Sequence, residues 1–246
     1  MATNSALNTS TNSAALVSSS TGLPTWTAAM TNGQVVIGST GATPTAAGLT
    51  AGTNVSISTG AGSITINADG AAGGGLFLIQ SQTANNSAQL DFTTGITSTY
   101  NTYLFTITNL LPATDGDTLR LRVSTDGGGS FLATAYDYNY QQMIGVTPTI
   151  NQVGSTGDSG IKLALNVDST TGGGLSGIGM VFSPSSSAFS RIWNMSDYTN
   201  NTSNVHVSFW VSGGNTGTTA INGLRFFYGS GNTTSGRITL YGLKVS

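Results

Sequence analysis

The sequence predicts an all-β protein, and three observations support that prediction. The chain of 246 residues contains 34 glycines with abundant serine, threonine and asparagine, which is the composition of a protein with closely spaced turns. Apolar and polar residues alternate over most of its length, which is the period of strands with one buried face. No helical period of comparable strength is present.

Charge is scarce and excludes several classes of partner. The chain has 7 basic and 9 acidic residues, and the first charged side chain is Asp69. The basic residues are dispersed, so we expect no binding to nucleic acid. No segment approaches the roughly 20 apolar residues of a membrane helix, and the N-terminus lacks the pattern of a signal peptide, so we expect no membrane insertion. The absence of cysteine excludes disulfides and thiolate metal sites.

The first 25 residues are of low complexity. They consist mostly of serine, threonine, asparagine and alanine, with few large apolar side chains. Such a segment cannot bury enough apolar surface to fold alone. We predict that residues 1–25 are an attachment peptide outside the folded units.

Residues 26–68 contain very short β-branched pairs between glycine-rich turns. The two members of a pair are two positions apart, so both side chains leave a strand on one face. One chain has too few of them to close a core, whereas several copies side by side would bury them all. These residues are Val35, Ile37, Val55, Ile57, Ile64 and Ile66. Residues 69–75 then supply a glycine-rich hinge.

Residues 76–246 contain longer predicted strands, in which large apolar side chains alternate regularly with polar ones. In the segment DTLRLRVS, the residues Leu119, Leu121 and Val123 share one face and Arg120 and Arg122 share the other. About ten or eleven such runs recur at spacings of roughly 8–12 residues, separated by glycine-rich turns. This spacing predicts an antiparallel sandwich or barrel.

Two parts of the chain resemble known families. Residues 32–66, which read NGQVVIGSTGATPTAAGLTAGTNVSISTGAGSITI, resemble the fibre-shaft segments of bacteriophage tail and virion fibre proteins, which are homotrimers. The later "STDGGGSF" turn and the final "SGRITLYGLK" strand resemble the C-terminal β-sandwich of many phage tail and virion proteins. The resemblance implies a short intertwined trimeric β shaft (26–68) followed by a jelly-roll-like antiparallel β-sandwich (76–246), with residues 1–25 attached to other virion proteins.

The resemblance also sets the expected function. It implies a structural protein of the phage particle, a tail fibre that attaches to host surface carbohydrate without catalysis. Three copies would turn weak single contacts into useful attachment. One alternative is an architectural fibre or decoration protein of the head or neck, and another is a depolymerase that cuts surface glycan.

Aromatic side chains are the candidates for carbohydrate contact. Tyr136, Tyr138 and Tyr140 alternate in AYDYNYQQ and therefore project from one face of a strand. Sugar faces stack on flat rings, although the same row also fits the inner face of a sandwich. The segment at 194–204 resembles a surface loop. The full candidate set is Tyr136, Tyr138, Tyr140, Trp193, Tyr198 and Trp210.

Candidate catalytic groups are few, and we predict no catalytic residue, metal or cofactor. The single histidine, His206, has no second imidazole or cysteine near it in the sequence. Most aspartates occupy turn contexts, where they bond nearby backbone. The acidic TDGDT segment supplies only part of a calcium shell. For a depolymerase, the carboxylates to consider first are Asp91, Asp137 and Asp197, which lie in or beside strands.

Overall fold

A computed structural model of the protein describes residues 13–53, 55–68, 75–145, 149–202 and 204–244. The chain divides into two compact units, Met1–Ala72 and Gly73–Ser246. All regular structure in the described ranges is β-strand, which confirms the all-β prediction. Those ranges contain no helix that could cross a membrane.

The first unit consists of antiparallel hairpins. In its described residues, three separate two-stranded sheets are formed by β1 with β2, β3 with β4, and β5 with β6. The strands are β1 (Leu16–Ser18), β2 (Pro24–Trp26), β3 (Gln34–Ser39), β4 (Ala42–Gly48), β5 (Val55–Gly60) and β6 (Ser63–Ala68).

The apolar residues of these hairpins share faces as the sequence predicts. Ile57 lies directly opposite Ile66, and Val55 lies opposite Ala68, so all four side chains project to one side of the β5–β6 hairpin. Ile66 is 60% exposed in the single chain. None of the six predicted shaft residues is buried. A lone two-stranded hairpin is only marginally stable in water.

Two predicted boundaries need correction. The first hairpin crosses the predicted boundary at residue 25, because Val17 pairs with Thr25 and Leu16 with Trp26. The amide of Ser20 also donates to Oγ1 of Thr43 at 3.3 Å. Residues 13–25 therefore belong with the hairpins, and the remainder of the predicted attachment peptide, residues 1–12, lies outside the described residues. Of the predicted hinge, residues 69–74 lie outside them as well, and Gly75 begins a strand.

The second unit is a β-sandwich of two unequal antiparallel sheets. The larger sheet has eight strands in the order β12-β11-β16-β15-β14-β9-β18-β7, and the smaller has four in the order β13-β10-β17-β8. The strands are β7 (Gly75–Thr83), β8 (Leu90–Phe92), β9 (Thr102–Pro112), β10 (Leu119–Ser124), β11 (Tyr136–Ile144), β12 (Thr149–Asp158), β13 (Ile161–Lys162), β14 (Leu175–Phe182), β15 (Arg191–Thr199), β16 (His206–Asn215), β17 (Gly223–Tyr228) and β18 (Thr233–Lys244).

The core lies between the two sheets. Phe105 of the larger sheet meets Phe226 of the smaller one edge to face, with ring centroids 5.0 Å apart. Leu119, Leu121 and Val123 are fully buried, as their alternation predicts. The sandwich is thus confirmed, and its eight-and-four division differs from the two equal sheets of a simple eight-stranded jelly roll. The extra strands give the larger sheet a broad outer face.

Candidate functional site

The candidate site lies on the outer face of the larger sheet. In β16, Trp210 stands between Phe209 and Val211, which are 0% and 2% exposed. Successive side chains of a strand point to opposite faces, so Trp210 points away from the core. The side chain of Trp210 is 37% exposed.

Strand pairing places a row of side chains beside Trp210. Trp210 lies opposite Gln141 of β11 on one side and Met195 of β15 on the other. The row continues to Gln152 of β12 and to Ile178 of β14. Directly paired residues of antiparallel strands share a face, so these five side chains cross five adjacent strands on the outer surface.

A second row runs parallel to the first. Trp193 of β15 lies opposite Ser212 of β16, which in turn lies opposite Asn139 of β11. Beyond Asn139 the row reaches Gly154, which has no side chain. A Cβ at Gly154 would come within 2.8 Å of the Asn139 side-chain oxygen, so the glycine leaves room for that amide.

The two rows enclose an open groove of about 510 Å³, which we call the tryptophan groove. Its size falls within the range of roughly 300–1,000 Å³ that small-molecule sites occupy. Its residues are Asn139, Tyr140, Gln141, Gln152, Val153, Gly154, Trp193, Trp210, Val211 and Ser212.

The polar side chains of the tryptophan groove make no hydrogen bond to any described residue. Within the described part of the chain, the amides of Asn139, Gln141 and Gln152 make no hydrogen bond to the protein. Amides elsewhere are committed to the fold: Nδ2 of Asn215 donates to the Thr134 carbonyl at 2.9 Å. The groove amides therefore have free donors and acceptors for a ligand.

The tryptophan groove is electrically neutral. None of its residues is an aspartate, glutamate, histidine, lysine or arginine. Tyr140 is the one ionisable residue among them; its ring lies on the core side of β11, and burial raises its pKa. Flat aromatic rings and neutral amides suit a ligand that presents hydroxyl groups and an apolar ring face, as a sugar does.

The structure brings together two of the six predicted aromatic side chains, Trp193 and Trp210, on the outer face around the tryptophan groove. Tyr140 borders the groove, but its ring lies on the core side of β11 and stacks on the buried Phe209 ring at a centroid distance of 4.9 Å. The prediction was wrong for the exposure of Tyr136, Tyr138 and Tyr198, which are 0%, 2% and 2% exposed. These three tyrosines face the core and cannot stack on a sugar.

The hydroxyl groups of the buried tyrosines have hydrogen-bond partners inside the protein. The Tyr136 hydroxyl accepts from the Val123 amide at 2.8 Å, and burial raises the pKa of Tyr136 to about 12. The Tyr138 hydroxyl donates to a carboxylate oxygen of Asp158 at 2.6 Å. Burial raises the pKa of Tyr138, and this hydrogen bond raises it further. These hydroxyls are used in holding the sandwich together.

Tyr198 belongs to a strand and not to a surface loop. The segment predicted as a loop begins inside β15, and Tyr198 pairs with Val207 of β16. Its hydroxyl accepts from the Leu165 amide at 3.1 Å, and burial raises the pKa of Tyr198. The many asparagines of this segment resemble loop composition, but the alternation of Ile192, Asn194, Ser196 and Tyr198 places all four on the buried face.

The three carboxylates considered for catalysis have separate positions. Asp91, on the smaller sheet, forms a bidentate ion pair with Arg225, with contacts of 2.8 and 2.7 Å. Asp137 of β11 accepts from the Gly157 amide at 2.8 Å. Asp197 of β15 lies 3.2 Å from Nδ1 of His206. Among the described residues, no group of three or more acidic, histidine or cysteine side chains is placed to hold a metal ion.

Sequence reasoning missed Gln141, Gln152 and Ser212. Gln141 and Gln152 are eleven positions apart and meet only because β11 pairs with β12. The one local signal in the sequence is the alternation along β11, which places Asn139 and Gln141 on the face opposite the tyrosine row. No family model, curated protein or solved structure matches the chain.

Proposed function

We propose that the protein is a homotrimeric structural fibre of a bacteriophage particle that attaches to host surface glycan through the tryptophan groove, without catalysis. The observation that carries this proposal is the groove itself, in which Trp193 and Trp210 share an opening with three amides that bond no described residue of the protein. The phage setting is supported by the resemblance of residues 32–66 to fibre shafts.

The hairpin unit supports the trimeric part of the proposal. Its apolar side chains share faces that are exposed or half-buried among the described residues, and Ile37 and Ile66 are 42% and 60% exposed. Three copies around an axis would bury these faces against one another. A trimer also carries three grooves, and three weak contacts on one particle bind together far more tightly than one.

The N-terminal segment is the proposed contact with other virion proteins. Residues 13–26 form a hairpin within the first unit, so we assign the attachment role to the part of the peptide before it. Deleting residues 2–12 should leave the trimer and its melting unchanged and should abolish incorporation into particles. Loss of the trimer on this deletion would assign the segment to the shaft.

The groove is tested with purified full-length protein on an array of bacterial surface polysaccharides and oligosaccharides. We expect the parent protein to bind a subset of the array. We expect Trp210→Ala to lose most of that binding, because stacking of a sugar on one aromatic ring contributes on the order of 1 kcal/mol. Phe189→Ala is the matched control, since Phe189 is an aromatic residue 57% exposed outside the tryptophan groove.

Each other outcome favours another function. If the parent protein binds nothing on the array, an architectural head or neck protein is the better interpretation. Equal losses for Trp210→Ala and Phe189→Ala would show that the groove is not the site. Release of soluble sugar from the array would favour a depolymerase, and Asp91, Asp137 and Asp197 would then be replaced in turn.

A further inference from the structure

A second depression adjoins the tryptophan groove on the other side of Trp210. It encloses about 370 Å³, and Trp210 lines both depressions. Ile178, Met195 and Asp197 contribute to its wall. We call it the methionine depression. The indole of Trp210 therefore stands between two neighbouring sites on one continuous outer face.

We propose that the two depressions are subsites for one oligosaccharide, with a neutral hydroxyl-rich sugar in the tryptophan groove and an N-acetylated amino sugar in the methionine depression. This inference rests on the proposed function, because it assumes that the outer face binds glycan.

The two sides of Trp210 differ in chemistry. Toward β11 and β12 the row presents the amides of Gln141 and Gln152, which suit hydroxyl groups. Toward β15 and β14 it presents Met195 and Ile178, which suit an apolar substituent. Met195 is 42% exposed, and a methionine side chain adapts its shape to a small apolar group such as an acetyl methyl.

Asp197 gives the methionine depression a hydrogen-bond acceptor. It lies two residues from Met195, so both side chains project from the same face of β15. The Asp197 carboxylate is 57% exposed and is approached by His206 at 3.2 Å and by the Ser208 hydroxyl at 3.4 Å. An ionised carboxylate accepts strongly from an amide N–H and disfavours a ligand that carries a carboxylate of its own. An acetamido group supplies both the methyl and the N–H.

The length of the row requires more than one sugar. It crosses five strands, which at about 4.8 Å per strand spacing corresponds to roughly 19 Å. That distance exceeds the width of a single sugar ring. A ligand that occupies both depressions must therefore contain at least two sugars, joined across the Trp210 indole.

The test uses the full-length protein and an array of matched saccharide pairs that differ only in an acetamido or hydroxyl group, each as a single sugar, a disaccharide and a longer chain. We expect the bound members to be disaccharides or longer and to contain an acetamido sugar. Replacing that acetamido group by hydroxyl should weaken binding about tenfold, through loss of one buried methyl and one charge-assisted hydrogen bond.

Two variants separate the subsites. Met195→Ser should reduce the preference for the acetamido member of each pair to less than about threefold, because the apolar wall is lost. Gln141→Ala should weaken binding of both members equally and keep their ratio, because Gln141 lies on the other side of Trp210. Both sites are solvent-exposed or half-buried, so the fold should tolerate the changes.

The failures are distinguishable. If no saccharide binds, the proposed function and the two-subsite inference are both overturned. If saccharides bind through Trp210 but single sugars bind as tightly as longer chains, or the acetamido group makes no difference, the proposed function stands and this inference alone is wrong.

Discussion

At the residue scale, buried hydroxyl groups connect the two layers of the sandwich. The Tyr136 hydroxyl, on the larger sheet, accepts from the Val123 amide of the smaller sheet and donates to the Leu132 carbonyl at 3.0 Å. In the opposite direction, Tyr228 of the smaller sheet donates to the Leu110 carbonyl of the larger sheet at 2.8 Å. A buried hydroxyl that is fully paired fixes the position of its ring, because any other position leaves polar groups unsatisfied.

We predict that Tyr136→Phe lowers the free energy of unfolding by about 1–3 kcal/mol, because it leaves the Val123 amide buried without its partner. The same chemical change in Tyr140→Phe is the control. The Tyr140 hydroxyl makes no hydrogen bond to the described part of the chain, so its loss should cost less than about 0.5 kcal/mol. Chemical denaturation measures both, and equal effects would contradict the role assigned to Tyr136.

A turn aspartate gives the sandwich an acid-sensitive contact. The Asp126 carboxylate accepts from the Ser130 hydroxyl at 2.6 Å, the Ser130 amide at 2.9 Å and the Ser124 hydroxyl at 2.7 Å. The bonds from Ser130, with that from Ser124, lower the pKa of Asp126 from 3.8 to about 2. This turn is part of the STDGGGSF motif, so the motif has a structural role.

The folded pKa of Asp126 lies below its unfolded value, so its stabilising contribution is complete above about pH 4 and is lost as the pH falls toward 2. We predict that Ser130→Ala raises the pKa of Asp126, and that Asp126→Asn makes the loss of stability between pH 4 and 2 shallower. Carboxyl titration by nuclear magnetic resonance and acid unfolding curves measure the two effects. An unchanged pKa in Ser130→Ala would show that another group holds the carboxylate.

Local alternation predicts which residues share a face but not which face is buried. It correctly grouped Tyr136, Tyr138 and Tyr140 on one face of β11. In β11 both faces carry groups that can hydrogen bond, so composition could not identify the inner one. The groups that bond the tyrosine hydroxyls on the buried face, such as the Val123 amide, are contributed by other strands.

At the element scale, the hairpins of the first unit are short and their apolar faces remain open. Ile57 and Ile66 pair across the β5–β6 hairpin, and their strand neighbours Ser58 and Thr65 point to the other side. In an isolated chain such positions contribute little, because a substitution at an exposed site changes stability by less than about 0.5 kcal/mol. In a trimer the same positions would form the core of the shaft.

We therefore predict that Ile57→Ser combined with Ile66→Ser dissociates the proposed trimer, because full burial of each isoleucine is worth about 1.5–3 kcal/mol. The control combines Thr65→Ser with Asn67→Ser, at positions on the opposite face of the same hairpin. Sedimentation velocity measures the assembly state. A trimer that survives the isoleucine changes, or a parent protein that is already monomeric, would contradict a shaft formed between chains.

Strand identity was more predictable than strand order. The β10 segment, with buried Leu119 and Leu121 and outward Arg120, is recognisable from a few residues. The position of β10 between β13 and β17 depends on pairing with a strand about one hundred residues later in the chain. Local sequence patterns contain no register for such distant pairs, so the unequal division of the sheets and the groove across β12, β11, β16 and β15 could not be predicted.

At the scale of the whole molecule, the strength of attachment would depend both on the affinity of one groove and on the number of grooves that the shaft joins. Each tryptophan groove is shallow and open, which favours weak single contacts. Joining three grooves makes the second and third contacts intramolecular and can raise the apparent affinity by about 10²–10⁴. The hairpins and the sandwich would then both determine the apparent affinity for a glycan-coated surface, although they lie in separate units.

We predict that the isoleucine double variant binds a surface densely coated with a recognised glycan at least about 100-fold more weakly than the parent protein, which we propose to be a trimer. Its affinity for the same oligosaccharide free in solution should be unchanged, because the groove is intact. Biosensor binding to the coated surface and calorimetry in solution measure the two affinities. Equal surface affinities for monomer and trimer would show that three copies do not bind together.

The placement of the three tryptophans also gives the protein a built-in optical reporter. Trp193 and Trp210 line the groove, whereas Trp26 lies in the first hairpin. A ligand that covers the groove removes water from two indoles and leaves the third as an internal reference. Intrinsic emission should therefore shift to shorter wavelength and resist quenching by iodide as the groove fills, so occupancy can be followed without attaching a dye.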